Sequence, residues 1–388
     1  MRIAVVRETQ DGEARVALVP ESVAALVAAG HEVDVEPGAG AAAQHADQQY
    51  ADAGAELVDG VADAEVVLSV QPLRADQVRV LRPGAGTVSF LPAAQVLDLV
   101  VELRDARATS FALELVPRIS RAQTMDALSS QALVTGYRGA IVAAGLLRKF
   151  FPLNMTAAGT VQPAQVVVLG AGVAGLQAIA TARRLGSVVR AYDVRAAAAE
   201  EIRSMGAKAI EIDLPTLEGA GGYAREMSDE RAALQRELLT PFIAAADVLI
   251  TTAAVPGRVA PILVTAEMVE QMGPGSVVVD LAAESGGNVE GVQAGSIVQI
   301  GHAQVWGGRN VPSQMPGPAS RLLSQNVVNL LALLTADDGT FAPDFADEIV
   351  LGACVTHGGH VRHSPTRDLL GGAPEPPEAD RPQQEGPA

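Results

Sequence analysis

Cysteine is almost missing from this 388-residue chain: Cys354 stands alone. That excludes an internal disulfide framework and a cysteine-based metal cluster. Aromatic residues are scarce, at 3% against 48% hydrophobic residues in all. The apolar content is therefore mostly Ala, Val, Leu and Ile, which suits sheets buried on both faces by helices. Positive charge is in deficit, with 28 Lys and Arg against 45 acids and a formal net charge of −17. A diffuse nucleic-acid binder or a polybasic membrane anchor needs the opposite sign. No uncharged apolar run reaches the roughly 18–20 residues of a spanning helix; the best candidate, 166–180, is broken by glycines and Gln177. The opening MRIAVVRETQ has an acid already at Glu8, unlike a signal peptide. The expectation is a soluble, cytoplasmic chain.

At about 100–200 residues per domain, this length predicts two to three domains. The first 115 residues alternate short β-branched runs with helical patterns. Strands are expected at 2–6, 32–36, 66–70, 87–91 and 110–113, with helices after Pro20 and near 75–81 and 93–104. A second alternating unit follows a long helix read at 129–150, which crosses between domains. Its strands are expected at 165–169, 188–193, 209–212, 248–252, 276–280 and 297–300, and a helix at 320–335 returns to the first domain. The fold class is α/β, with two Rossmann-like, doubly wound parallel-sheet domains. The first is discontinuous (1–134 and 312–370), and the second spans 135–311. The tail, 371–388, has five prolines, four acids and no apolar residue larger than Ala; it cannot bury enough surface to order itself.

The strongest motif is QVVVLGAGVAGLQAIATARRLGSVVRAYD, in which Gly170, Gly172 and Gly175 form G-x-G-x-x-G between a buried strand and an amphipathic helix. The first glycine permits a tight turn, the second lets backbone approach a pyrophosphate at the helix N-terminus, and the third allows helix to pack on strand. Asp193 ends the next strand. A carboxylate there accepts from adenosine ribose hydroxyls and repels a 2′-phosphate, so NAD is favoured over NADP. Arg195, two residues on, either softens that exclusion or is a solvated side chain. A rival pattern at Gly38, Gly40 and Ala43 follows the second strand of its domain and precedes a poor amphipathic helix; it reads as a structural turn. His357, His360 and His363 lie near Cys354 but lack the tighter spacing of structural zinc sites. No metal site is expected: the histidines follow the strand read at IVLGACVT, and Cys354, within it, reads as a small buried residue.

The polar segment PRISRAQTMDALSSQ, 117–131, reads physically as a loop rich in hydrogen-bonding side chains. It closely resembles the signature loop of the NAD(H)-binding soluble component, domain I, of proton-translocating NAD(P) transhydrogenase. The resemblance extends through RETQDGEARVALVPE, TAAGTVQPAQVVVLGAGVAGLQAIATARRLG, YDVRAA, AGGYAREM, PGSVVVDLAAESGGN and NVPS, and fades after about residue 366. It implies that Arg118, Asp126 and Ser129 hold the nicotinamide carboxamide and its ribose, and that Gln123 aligns an NADP nicotinamide presented by a partner subunit. It also implies NAD contacts at Ala171, Gly172 and Val173, at Asp193, Val194 and Arg195, at Gln235, and at Ala254, where the family carries a bulkier apolar residue. The stretch 213–230 is long for a strand–helix connection. It is either a surface insertion or, by the resemblance, a lid over NAD(H) that Gly222 and Tyr223 contact.

The implied activity is Re/Si-specific direct hydride transfer between NADH and NADP+, coupled to proton translocation by membrane-embedded partner subunits that hold NADP(H). The implied assembly is a homodimer docked on those subunits from the inner side of the membrane. Such transfer needs no general acid or base. Alanine dehydrogenase, a relative with the same two-domain plan, does need one. Its substrate arginine matches Arg15, but its lysine falls on Gln71, its catalytic histidine on Pro92 and its aspartate on Glu284. Neither Gln71 nor Pro92 can replace the lysine or histidine, so Arg15 and Glu284 read as structural, with Arg15 in a local ion pair. An alanine-type dehydrogenase and a non-enzymatic NAD-binding module are the alternative readings. The stretch HAQVWGGRN, with Trp306, departs from the family's shorter approach to NVPS.

Overall fold

The computed structural model describes residues 1–195, 197–214, 229–254 and 257–372. The chain forms two compact units, Met1–Ser130 with the chain from Pro316 onward, and Gln131–Met315. Gly222, Tyr223, most of the segment 213–230 and the tail from 373 lie outside the described residues.

In the first unit the strands are β1 (Arg2–Val5), β2 (Glu32–Val35), β3 (Glu56–Leu57), β4 (Val66–Leu68), β5 (Gly86–Ser89) and β6 (Thr109–Ala112). The second unit contributes β7 (Asn154–Thr156), β8 (Gly159–Val161), β9 (Gln165–Leu169), β10 (Val188–Tyr192), β11 (Lys208–Ala209), β12 (Val248–Thr251), β13 (Val277–Asp280), β14 (Ile297–Ile300) and β15 (Ala303–Gly307). The first unit closes with β16 (Cys354–His357) and β17 (His360–Val361).

The first sheet runs β17-β16-β6-β5-β4-β1-β2-β3, with every strand in one direction except β16, which is antiparallel to both β6 and β17. The second runs β11-β10-β9-β12-β13-β15-β14, parallel except for the edge strand β14. In each sheet the strand order reverses beside the first strand, between β1 and β4 and between β9 and β12. Those reversals are where crevices open at the carboxyl ends of the strands.

Near-continuous apolar runs follow from burial on both faces. Ile3 and Val5 enter one core of the first unit, Ala4 and Val6 the other. Val166 and Val168 enter one core of the second unit, Val167 and Leu169 the other. Side chains alternate across each sheet with period two, so one strand feeds two cores.

Four expectations require correction. The sequence pattern predicts no strand at 303–307, yet this segment is β15, with Ala303, Val305 and Gly307 buried. It pairs with β14 across a two-residue turn whose Gly301 has φ +53, a conformation glycine adopts without strain. The apolar run IVLGA is not strand but the helix Glu348–Ala353, because the Asp347 side chain accepts from the Ile349 N–H at 2.7 Å and caps it. The long helix is Ala127–Leu146 rather than 129–150, and the returning helix is Pro316–Leu333.

Cys354 is 1% exposed, and burial pushes its thiol up to about 12. The thiolate is the reactive species, so a thiol reagent should label the native protein only at the rate of unfolding and should label one equivalent rapidly in denaturant. Fast stoichiometric labelling of the native protein would contradict this packing.

Candidate functional site

The second unit's strand reversal carries the glycine turn. Gly170 follows β9 with φ +96, and a Cβ there would lie 2.5 Å from Thr252 Oγ1. A Cβ on Gly175 would lie 1.9 Å from the Gly170 carbonyl oxygen. Only glycine lets the helix Val173–Arg184 start this close to the strand. Gly172, at the helix N-cap, faces open space: nothing lies within 4 Å of its Cβ position. Among the described residues no side chain caps this N-terminus, so its N–H groups and the dipole are available to an anion.

Neighbouring loops brace the turn. The Thr252 hydroxyl, just after β12, lies 3.2 Å from the Gly170 carbonyl oxygen. The next residue, Ala253, is held by the Asn288 side chain, which accepts from its N–H at 2.9 Å and donates to its carbonyl at 2.7 Å. Asp280 is fully buried and accepts from the N–H groups of Ala282, Asn288 and Val289 at 2.9, 2.7 and 3.0 Å. Burial pushes its carboxyl upward in pKa, and the three N–H groups oppose that. The DLAAESGGN motif thus builds the loop that positions 253–254 beside the turn. A third close approach involves a glycine that the sequence pattern does not single out: a Cβ on Gly136 would lie 2.0 Å from the Ala174 carbonyl oxygen. The glycine in the long helix is there to admit the first turn of the next one.

Asp193 Oδ2 accepts from the Ala171 N–H at 2.8 Å, and its Oδ1 accepts from the Arg195 N–H at 2.9 Å. The Arg195 guanidinium folds back over the same carboxylate, with Nε 3.0 Å from Oδ1, and its Nη2 donates to the Ala171 carbonyl at 3.1 Å. Arg195 is therefore a clasp between acid and turn rather than a solvated side chain. Val194 is half-buried beside it. Gln235 is 2% exposed, with Oε1 3.5 Å from the Tyr192 hydroxyl, and Ala254 is exposed at the end of β12's loop.

The polar loop belongs to the first unit. Its Ser120–Met125 stretch is a 3-10 helix that buries Ala122 and Met125 while Arg118 and Gln123 are exposed. Asp126 accepts from the Ser129 N–H at 2.8 Å and the Ser129 hydroxyl at 2.6 Å. This ties the two residues together at the start of the long helix, as an N-cap does. The Thr124 carbonyl accepts from Asn326 Nδ2 at 2.8 Å and Asn329 Nδ2 at 2.9 Å. Those two asparagines look unremarkable in the helix pattern, yet they fix the loop.

Arg15 forms the local ion pair read for it: its guanidinium lies 2.7 Å from Glu13 Oε2, both side chains buried. Burial raises the Glu13 carboxyl, but the hydrogen bonds and charge of Arg15 outweigh it and bring Glu13 to about 2. Gln71 Nε2 donates to the same carboxylate at 2.7 Å. Glu284 accepts from the Asn310 N–H at 2.8 Å. The imidazoles of the histidine cluster have hydroxyl neighbours, with His357 Nδ1 3.0 Å from Thr109 Oγ1 and His363 Nδ1 2.7 Å from Thr366 Oγ1. Among the described residues no group of three His, Cys, Asp or Glu side chains is arranged for a metal ion, and no helix is long and apolar enough to cross a membrane.

Comparison with known proteins matches residues 4–135 to the N-terminal domain of the alanine dehydrogenase/PNT family and residues 139–364 to its C-terminal domain. The first part of NAD(P) transhydrogenase subunit alpha of Rhodospirillum rubrum is 45% identical over 376 residues, covering 94% of this chain and 98% of that relative. The solved transhydrogenase of Sinorhizobium meliloti superposes with a TM-score of 0.85 at 42% identity, covering 93% of this chain and 100% of that one. The alanine dehydrogenase of Bacillus subtilis is 31% identical, with 95% of each chain covered.

Replacing Gly175 by Ala forces a methyl into the Gly170 carbonyl, and backbone must shift to relieve it. Gly175→Ala should weaken NADH binding by about tenfold or more, read by fluorescence titration. Unchanged affinity would mean that this turn does not cradle the dinucleotide.

Proposed function

This chain belongs to the alanine dehydrogenase/PNT family, and within it we propose that it is the NAD(H)-binding subunit of a proton-translocating NAD(P) transhydrogenase. The observation that carries the nucleotide assignment is the turn itself: two glycines with no room for a Cβ, a third facing open space, and an uncapped helix N-terminus. These fit a pyrophosphate. Bound NADH supplies a hydride from its C4 to the C4 of an NADP+ nicotinamide held by a partner subunit.

This chain's residues then have positional tasks. The backbone at Ala171, Gly172 and Val173 binds phosphate. Asp193 receives the adenosine ribose, which takes over carboxylate lone pairs that Arg195 holds in the free chain. NAD is favoured because Asp193 would repel a 2′-phosphate. Val194, Gln235 and Ala254 complete the adenosine side, and the resemblance adds Gly222 and Tyr223. In the polar loop, Arg118, Asp126 and Ser129 orient the nicotinamide carboxamide and ribose, while Gln123 faces the incoming NADP nicotinamide. Positioning the two reacting carbons about 3–3.5 Å apart is the main contribution to rate. No proton moves to or from a heteroatom, so the missing acid and base are consistent with the reaction.

The alanine dehydrogenase reading is disfavoured by a specific arrangement. The Arg15 guanidinium is tied to Glu13, Gln71 donates to that same carboxylate, and Pro92 has no proton to transfer. The relatives named as subunit alpha imply further subunits; in this proposal those partners are membrane-embedded, hold NADP(H) and carry this chain on the inner side of the membrane. For the homodimer, the β7–β8 hairpin is a candidate surface. Met155 on it is 76% exposed, with Phe150 and Leu153 before it at 58% and 51%. An isolated two-stranded hairpin with bare apolar side chains is marginal alone, and a second copy would cover it.

Gln123→Asn should slow hydride exchange with a matching NADP-binding domain while NADH affinity changes little; a large loss of affinity would instead make Gln123 a binding residue. Asp193→Ala should weaken NADH binding, and unchanged affinity would refute its ribose role. Robust alanine-dependent reduction of NAD+ by the purified chain would replace this reading with the dehydrogenase one. Tight NADH binding with no exchange would favour a non-enzymatic NAD module.

A further inference from the structure

The segment that carries Gln123 has little of its own to hold it. It is a 3-10 helix of six residues, Ser120–Met125, and runs longer than about three or four residues are uncommon because the hydrogen bonds of such helices are poorly aligned. Its last backbone bond is long: the Asp126 N–H reaches the Gln123 carbonyl at 3.4 Å. Ala122 and Met125 are buried while Gln123 is exposed, so core packing holds its neighbours and not Gln123 itself.

Anchors reach this segment from the returning part of the chain, 202 to 226 residues further on. On one side of Gln123, Arg121 Nη1 donates to Asp347 Oδ2 at 2.6 Å and Nη2 to Oδ1 at 3.0 Å. This is the two-bond fork that arginine makes with a carboxylate and lysine cannot. Asp347 is fixed in turn, because it caps the helix Glu348–Ala353, whose Ile349, Val350 and Ala353 are buried. On the other side of Gln123, the Thr124 carbonyl accepts from the amide groups of Asn326 and Asn329 at 2.8 and 2.9 Å. Asn326, 7% exposed, also accepts from the Ser130 hydroxyl at 2.6 Å. It thereby bridges the residues that flank the Asp126–Ser129 pair. The Arg121 and Asp347 side chains are 50% and 20% exposed. A pair this open adds little to global stability; what it fixes is the path of the chain two residues before Gln123.

We propose that Arg121 and Asp347, together with Asn326 and Asn329, are positioning residues for hydride transfer. The ion pair and the double amide clamp bracket Gln123 and hold its backbone where its side chain meets the second nicotinamide. In this account none of the four touches a nucleotide, and the inference rests on the transhydrogenase reading. A misplacement of about 1 Å caused away from the chemistry can cost up to about 10²-fold in rate. Loss of one anchor should therefore appear in the transfer step and not in binding.

Single-turnover hydride transfer from NADH to NADP+, in the full chain assembled with its partner subunits, tests this. Arg121→Gln removes the fork. Asp347→Asn keeps a cap for the Ile349 N–H but loses the charge. Asn329→Ala removes one of the two amide donors. Each should slow transfer by about tenfold, with NADH affinity and melting temperature close to wild type. The double variant Arg121→Gln, Asp347→Asn should be no slower than either single one, because both remove the same pair. Arg79→Gln breaks an exposed pair with Glu102, 2.9 Å long, between helices that carry no loop residue; it should transfer at the wild-type rate. Wild-type rates in Arg121→Gln and Asn329→Ala, multiplied losses in the double variant, an equal loss of NADH affinity, or equal slowing by Arg79→Gln would each overturn the proposal and leave the transhydrogenase reading standing. No transfer by the wild-type complex would overturn that reading and this inference with it.

Discussion

A missing side chain sets the geometry of the second unit. At Gly175 there is no room for a methyl, because the Gly170 carbonyl oxygen lies 1.9 Å from where it would stand. That contact fixes how near the helix Val173–Arg184 comes to β9, and so where its uncapped N–H groups point. Thr252 closes on the same turn from β12, and Gly136 admits the Ala174 carbonyl from the other side. Three elements meet around one backbone carbonyl and its helix. Any added atom there would move the N–H groups at the helix N-terminus themselves.

Both units use one plan and furnish it differently. Each has a doubly wound sheet whose order reverses beside its first strand. In the second unit the reversal carries glycines and a helix N-terminus. In the first it carries Glu8, Ser69 and Gln77, next to the buried Arg15–Glu13 pair. A buried pair of this kind is held by its mutual hydrogen bonds, and removing one partner alone would leave an uncompensated charge. An arginine committed in this way is a poor receptor for a substrate carboxylate. The first unit thus has the family's N-terminal domain fold with its Arg15 committed to Glu13.

Much of this was legible in the sequence because strands buried on both faces leave a strong signature. The runs around 166–169, 248–251 and 277–280 could be read directly, and so could G-x-G-x-x-G with its acid. What escaped reading was set by tertiary contacts. Strand β15 is short, carries Gln304 and Trp306 at its half-buried positions, and exists because it pairs with β13 and β14. The run before Cys354 became helix through one capping carboxylate, Asp347. Asn326 and Asn329 look like solvated positions until the Thr124 carbonyl is seen to need both. The Arg195 clasp needed its geometry, since sequence alone cannot say whether an arginine two residues after Asp193 points to solvent or back to the turn.

The central claim is that this chain positions NADH for direct hydride transfer and contributes no acid or base. Its most direct test follows deuterium from NADH labelled at the transferring C4 position, in a mixture with NADP+ and the matching NADP-binding domain. The account predicts that the label appears in NADPH without loss to solvent. Label washed into water, or NADPH formed unlabelled, would contradict it.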